Sequence, residues 1–508
     1  MRGKKSLINV LANLLEQIVI IIAGLILPRL ILDKFGSQYN GLTSSITQFL
    51  ACAVLLRAGI GGATKAALYK PLEEKKNKEV NAIINATRNF MKKVSIILLI
   101  IILSFSVLYP MLVKAEFSYL FTFSLFLIIA ISTFAENFFG ITYLILLQAD
   151  QKLWITSMFK IISTILNVVI ASTLILNNYS IHIVKIGSTV AFCMYPILLN
   201  LYVKKKYKLD KNVLPDKIAI SQRWEAFWHQ VATFITNNTD IMVLTIFLNM
   251  LEVSVYSVYN MILSSIRKLI LSFSNGLEAA FGSMIAKNEK KLLMQNFSLI
   301  EYIVNSISII TYSCTSILII DFVKIYTSGI NDVNYVRPIF ASILIFAQFL
   351  YCFRIPYQMI IQAAGHFKQT KKGAMFEAIL NIILSIILVT KIGFIGVAIG
   401  TFVAIIIRTI ELAYYASRKI LDRTFKNFIF KIFISILNII IIVSIVNSIK
   451  MVVPTNYFEW VIKAVISMII SIIIVLISTS ICYRNEFKLV IYKLKNVFKH
   501  KNREEDIQ

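Results

Sequence analysis

Ionisable side chains sit within stretches that are otherwise apolar: Glu16, Arg29, Arg57, Glu136, Lys160, Asp240, Arg267, Lys268, Glu278, Arg354, Glu377, Arg408 and Glu411. At membrane depth such a group costs on the order of 2.5–3.5 kcal/mol, so it marks a paired or a functional position. Several have a local explanation. Arg29 is near the end of its stretch and within snorkelling reach of a headgroup layer, as is Lys160. Arg408 and Glu411 are three apart on one helix face, the spacing of a local ion pair, and Glu278 falls at an interface. Arg57, Arg267 and Arg354 are harder to dismiss. A guanidinium is charged at any accessible pH and offers a fork of donors that matches a phosphate. Glu16, Glu136 and Asp240 are the matching candidates for a carboxylate that titrates or holds Na⁺, because desolvation raises a carboxyl pKa.

The elements that hold these groups follow from composition. The chain has 508 residues, of which 58% are hydrophobic and 15% charged, with a mean hydropathy of +0.76. A soluble domain is about 25% charged, so a soluble multidomain enzyme is excluded. An all-α polytopic membrane protein is predicted, with fourteen spans near 7–31, 41–64, 94–113, 118–147, 154–176, 181–203, 225–248, 253–275, 298–320, 337–361, 374–390, 393–415, 428–448 and 459–482. The N-terminal run continues past Leu30 and carries Glu16 and Pro28, which predicts an uncleaved first span rather than a signal peptide. The net charge of +26 falls between the apolar runs, which points to topology and anionic lipid rather than nucleic acid. In the tail, Phe487, Val490, Ile491, Leu494, Val497 and Phe498 recur at helical spacing opposite Lys488, Lys493, Lys495 and Lys499, the pattern of a helix lying on an anionic leaflet.

Basic residues fill every second loop, including Arg88, Lys92 and Lys93 after span two and Lys204, Lys205 and Lys206 after span six. The alternate loops offer only Lys34, Lys114, Lys185, Lys324, Arg337, Lys391 and Lys450. This bias puts both termini in the cytoplasm. The outer loops are short, the longest running from about Asp321 to Val336, which argues against a membrane glycosyltransferase or polymerase. The chain has no P-loop motif. Its histidines and cysteines lack metal-ligand or disulfide spacing, so neither catalysis nor a cofactor is expected.

An internal repeat appears at an offset of 214 residues. Phe139, Ile141, Tyr143, Gln148 and Ala149 match Phe353, Ile355, Tyr357, Gln362 and Ala363, and Ile165-Leu166-Asn167 matches Ile379-Leu380-Asn381. The copies are six crossings apart and therefore share one orientation, a parallel repeat. The predicted organisation is a six-helix bundle at 1–203, a basic cytoplasmic linker at 204–223, a second six-helix bundle at 224–416, two extra helices at 427–483 and a basic tail at 484–508. A central cavity between two rocking bundles is the expected working part.

The stretch Leu27-Pro28-Arg29-Leu30-Ile31-Leu32, with Phe35-Gly36-Ser37-Gln38-Tyr39-Asn40-Gly41-Leu42 and Ser44-Ser45-Ile46-Thr47-Gln48-Phe49-Leu50, resembles the start of bacterial polysaccharide (Wzx-type) flippases. So do Ala58-Gly59-Ile60-Gly61-Gly62 and Lys65-Ala66-Ala67-Leu68-Tyr69-Lys70-Pro71-Leu72. Asn238-Thr239-Asp240 followed by Val255-Tyr256-Ser257-Val258-Tyr259-Asn260 resembles the family's seventh and eighth spans. These flippases belong to the multidrug/oligosaccharidyl-lipid/polysaccharide exporter (MOP) superfamily. The resemblance implies translocation of an undecaprenyl-diphosphate-linked oligosaccharide (a capsule, O-antigen or exopolysaccharide repeat unit) across the bacterial cytoplasmic membrane, by alternating access coupled to H⁺ or Na⁺. Arg57, Arg267, Arg354 and Arg29 would then meet the diphosphate or an acidic glycan. Glu16, Glu136 and Asp240 would couple ions or hold the arginines, and Asn237, Asn238, Asn167 and Asn381 would contact sugar. Spans thirteen and fourteen would look lipid-facing and shape a groove for the lipid tail. Arg57 stands where related sequences often carry an acid. The main rival is a cation-coupled multidrug exporter of the same superfamily.

Overall fold

The computed structural model of the chain describes residues 2–56, 60–113, 117–210, 212–216, 223–274, 278–449 and 451–490. Arg57 and the tail beyond 490 lie outside the described residues, and of Glu278 only the backbone is described. The described chain is helical throughout, a multi-pass membrane protein. Among the described residues, eleven helices are long and apolar enough to cross a bilayer. They account for eleven of the fourteen expected spans.

The other three are helical but differ in a physical way. In the predicted span at 41–64 the helix Ser37–Leu50 ends in a turn at Ala51-Cys52, and Ala53–Leu56 and Ile60–Glu73 are helical on either side of the undescribed residues 57–59. Arg223–Phe247 carries Arg223, Glu225 and His229 in sequence ahead of the apolar stretch Val231–Phe247. Met250–Ser274 carries Glu252, Arg267 and Lys268.

Two compact units are formed by segments that are not contiguous in sequence. One comprises 1–265, 327–335 and 371–401; the other comprises 266–326, 336–370 and 402–508. In the first unit, Leu153–Leu176 packs along both Arg2–Phe35 and Ile181–Lys206. The long helix Asn77–Leu112 is followed by Tyr119–Ala135, a π-helical turn at Glu136–Gly140, and Ile141–Ala149.

The start of the first unit depends on two glycines. Gly36 has φ 87°, a conformation open to glycine without a Cβ penalty, and there the chain leaves Arg2–Phe35 and begins Ser37–Leu50. The free N-terminus of that second helix is capped from far away in sequence. Asp332 accepts from the Ser37 amide at 2.7 Å and from Ser37 Oγ at 2.6 Å. Tyr335 adds a bond to Ser37 Oγ, and Arg29 donates to the Ser328 carbonyl at 2.8 Å. At Gly41 the Met250 carbonyl oxygen passes only 1.9 Å from where a Cβ would stand. Asn40 bonds Ser254 at 2.8 Å beside it.

The second unit is organised around the helix Lys290–Tyr326, against which Pro338–Phe353, Lys426–Ser448 and Tyr457–Cys482 all pack. That helix runs well past both ends of the predicted 298–320, which adds Asp321 to it; Glu301 lay within the predicted span. The last two helices are therefore not simply lipid-facing. Lys431 donates to Glu301 at 2.6 Å, and Lys463 to Asp321 at 2.7 Å. Trp460 and Tyr302 add hydrogen bonds to the Leu318 carbonyl and to Thr479.

Candidate functional site

Each unit carries its own candidate site. In the first, a cavity of about 340 Å³ is lined by Ser132, Thr133, Glu136, Asn137, Asn167 and Lys185, with Leu27, Ile129 and Phe192 as its apolar part. The π-helical turn begins at Glu136; one extra residue per turn re-aims the side chains that follow, which is why such turns recur at functional sites. Glu136 lies 4.0 Å from Lys160, whose ammonium also sits 4.8 Å from the centre of the Tyr195 ring. Glu16 reaches the same lysine electrostatically and hydrogen-bonds Ser157. Lys160 is thus held between two of the predicted carboxylates rather than snorkelling alone. Asn167 lines the cavity with its amide oxygen buried and, among the described residues, without a hydrogen-bond partner, so it can accept a hydrogen bond from a ligand.

Lys185 was assigned by sequence to an outer loop. It lies instead inside the helix Ile181–Lys206 and lines this cavity. Its position one turn from the helix start made it look like a topology charge, and only the angular register with Ser188, Thr189 and Phe192 reveals where it points.

Asp240 belongs to a separate, tightly bonded node. Its carboxylate accepts from Tyr256 at 2.6 Å and from Thr401 at 2.7 Å, and Asn381 donates to the same Thr401 hydroxyl at 2.8 Å. Asp240 is 4% exposed and Asn381 fully buried. Asn238 accepts a short hydrogen bond from Gln48 Nε2 and donates to the Phe234 carbonyl, while the Asn237 carbonyl lies 3.5 Å from the same Gln48. The predicted partners Asn167 and Asn381, related by the repeat, therefore occupy different settings, one beside a cavity and one inside a network.

The second unit brings two of the predicted arginines together. The Arg267 guanidinium lies 4.9 Å from the centre of the Tyr351 ring and donates to Gln348 at 3.2 Å. The Arg354 guanidinium lies 4.4 Å from the same ring. Two cations on one aromatic ring tolerate each other because the ring's quadrupole attracts both. Arg354 caps Pro338–Phe353 where that helix passes into Ile355–Ala363. That same helix also supplies Phe346, Phe349 and Leu350 to a groove of about 390 Å³, completed by Phe402, Phe428, Ile432 and other apolar residues. The groove takes part of its wall from Lys426–Ser448, the first of the two extra helices.

Arg408 forms the expected local pair with Glu411, at 2.8 Å, and bonds the Thr370 carbonyl. Sequence reasoning passed over the buried cluster at Glu301. Its carboxylate takes a bidentate contact from Arg423 at 2.9 and 2.8 Å, the Lys431 ammonium, and a short hydrogen bond from Tyr357.

No protein-family model and no curated protein sequence matches the chain. Solved structures do. The lipid II flippase MurJ, in an inward closed conformation, superposes with a TM-score of 0.72 at 18% identity, over 94% of this chain and 99% of that one. An inward-facing multidrug resistance MATE family transporter of the MOP superfamily gives 0.65 at 14% identity, over 79% and 95%. A MATE transporter from Vibrio cholerae gives 0.59 at 12%, over 83% and 96%. At these identities the likeness is one of fold: the chain is folded as these transporters are.

Proposed function

We propose that this chain is a flippase that moves an undecaprenyl-diphosphate-linked oligosaccharide from the inner to the outer leaflet of the bacterial cytoplasmic membrane. The observation that carries the reading is the double duty of the helix Pro338–Phe353. One part of it presents Gln348 and Tyr351 to the Arg267–Arg354 pair, and the other opens an apolar groove through Phe346, Phe349 and Leu350. A lipid diphosphate needs both a cationic seat for its headgroup and a greasy channel for its tail. The likeness to a lipid II flippase supports the same substrate class.

In this reading the chain crosses the membrane fourteen times with both termini cytoplasmic. Residues 1–203 and 224–416 form two parallel-related bundles that alternate access, joined by 204–223 and followed by helices at 427–483 and the tail 484–508. Arg267 and Arg354 hold the diphosphate, Arg57 is a candidate for it by sequence alone, and Arg29 serves the outer loop it bonds. Glu136, with Glu16 behind Lys160, is the candidate for H⁺ or Na⁺ coupling. Asn167 is the best placed of the asparagines for a sugar hydroxyl. The multidrug-exporter alternative is favoured by Glu136 in the cavity of the first unit, but Lys185 in that cavity opposes a cationic drug.

The test is translocation in proteoliposomes carrying a fluorescent polyprenyl-diphosphate sugar. Protected label should appear in the outer leaflet with the native chain and fall sharply for Arg267→Ala and Arg354→Ala. Drug efflux with no movement of lipid-linked sugar would replace this reading with the exporter.

A further inference from the structure

A second cavity of the first unit, about 350 Å³, gathers charges that the loop pattern explained only as topology. Arg88, Lys92 and Lys204 line it, together with Asn85, Tyr143 and the rim residue Phe139. Among the described residues no carboxylate lines this cavity or pairs with those three cations. Arg88 is held in place by Asn85, which accepts at 3.1 Å, and by the Tyr143 hydroxyl at 3.4 Å. One wall is the start of the segment that joins the two repeats. Asn81 and Asn85 donate to the carbonyls of Lys208, Asp210 and Val213, and Ala82 accepts from the Asp216 amide. The π-helical turn divides its residues between the two cavities, Glu136 and Asn137 to one and Phe138 and Phe139 to the other.

The repeat shows what is missing. Tyr143 and Tyr357 are equivalent positions 214 residues apart. Around Tyr357 the cations Arg423 and Lys431 close on the internal carboxylate Glu301. Around Tyr143 the corresponding partner is Arg88, and the cavity holds three cations with no internal anion. Like charges gathered in one concavity are stabilised by a ligand of opposite sign. An arginine fork flanked by lysines fits phosphate oxygens, and an exposed aromatic rim at Phe138 and Phe139 fits a phosphate that carries an apolar substituent.

We infer that this cavity binds a phosphate-class anion, a diphosphate or phosphate ester, against Arg88, Lys92 and Lys204, and that its occupancy stiffens residues 208–216. The site stands whether or not the chain is a flippase, because its test measures binding and not translocation.

The test uses the full chain in nanodiscs of neutral phosphatidylcholine, with inorganic pyrophosphate as the probe. The variant Arg88→Gln/Lys92→Gln/Lys204→Gln should bind it at least about tenfold more weakly. A variant with the same loss of charge outside the cavity, Lys78→Gln/Lys205→Gln/Lys206→Gln, should stay within about twofold. Lys92 and Lys204 are exposed, so the pair Lys92→Gln/Lys204→Gln supplies a folded intermediate case. Pyrophosphate should also slow amide exchange across 208–216 in the native chain and not in the cavity variant. Displacement by undecaprenyl diphosphate in the bilayer, but not by phosphatidylglycerol, identifies a lipid diphosphate as the natural source. Displacement by neither lipid identifies a soluble phosphate ester. Absence of pyrophosphate binding, equal loss in both triple variants, or displacement by phosphatidylglycerol as readily as by the diphosphate overturns the assignment.

Discussion

Lys431 donates to Glu301 at 2.6 Å, and neither side chain reaches solvent to any useful extent. The pair joins the first of the two extra helices to the long helix Lys290–Tyr326, and Arg423 adds a second cation to the same carboxylate. Breaking such a group from one side leaves an uncompensated buried charge, which costs about 3–5 kcal/mol. Glu301→Ala strands both Arg423 and Lys431, so it should lower thermal stability in detergent more than Glu301→Gln/Lys431→Met, which leaves Arg423 alone without its carboxylate. Equal melting temperatures for the two variants would show that the pair is not what secures the helix.

Tyr351 lies within reach of both Arg267 and Arg354. Replacing the ring by leucine removes the attraction for two guanidinium groups, about 1–2 kcal/mol for each where desolvated. We expect Tyr351→Leu to reduce translocation about tenfold while membrane insertion is unchanged. Arg267→Lys should recover only part of the native rate, since an ammonium lacks the planar fork. Initial rates in proteoliposomes give the answer.

Glu136 and Lys185 share the polar cavity of the first unit. If Glu136 couples an ion, Glu136→Gln should abolish the response of transport to an imposed proton or sodium gradient while substrate binding survives. Lys185→Met should leave the gradient response in place and change substrate binding. A gradient response that persists in Glu136→Gln assigns coupling to another carboxylate.

Gly41 faces the Met250 carbonyl with no room for a methyl group. Gly41→Ala should destabilise the first unit by about 1–3 kcal/mol, the usual cost of overpacking, whereas Gly24→Ala, which meets nothing, should be neutral or slightly stabilising. Denaturant midpoints of the two variants measure the contrast.

The apolar groove offers a separate handle on the lipid tail. Ile406→Trp or Ile432→Trp fills it from two different helices, Phe394–Lys419 and Lys426–Ser448. Each should slow transport of a substrate with a full-length polyprenyl chain more than of one with a short chain, read as a ratio of rates on the two lipids.

Much of this architecture was legible in the sequence because apolar runs and basic loops report directly on what water and bilayer each reject. The stretch from Phe35 to Leu42 was also recognisable, and the structure gives its physical content. Gly36 makes the turn, Ser37 takes the distant cap, Asn40 bonds Ser254, and Gly41 admits a neighbouring backbone. Position within a helix was harder to read. Hydropathy treats a lysine near a helix end as loop, so Lys185 was counted as a loop charge, and Lys431 and Glu301 were passed over. Which face a side chain takes depends on a register of about 100° per residue, and an error of two residues at a boundary is enough to lose it. The meeting of Arg267 with Arg354 over one tyrosine was not legible either, since it joins helices some eighty positions apart.

The cap that Asp332 places on the helix beginning at Ser37 has a consequence for biosynthesis. The two residues are 295 positions apart, so at roughly 5–20 residues per second the ribosome needs on the order of 15–60 s to supply the missing acceptor. During that interval the second helix has an open end. Insertion machinery must shelter the early hairpin, and the amino-terminal half cannot mature as an independent fragment. A chain stopped before Thr327 should remain protease-sensitive near Gly36 until a peptide spanning 327–335 is restored.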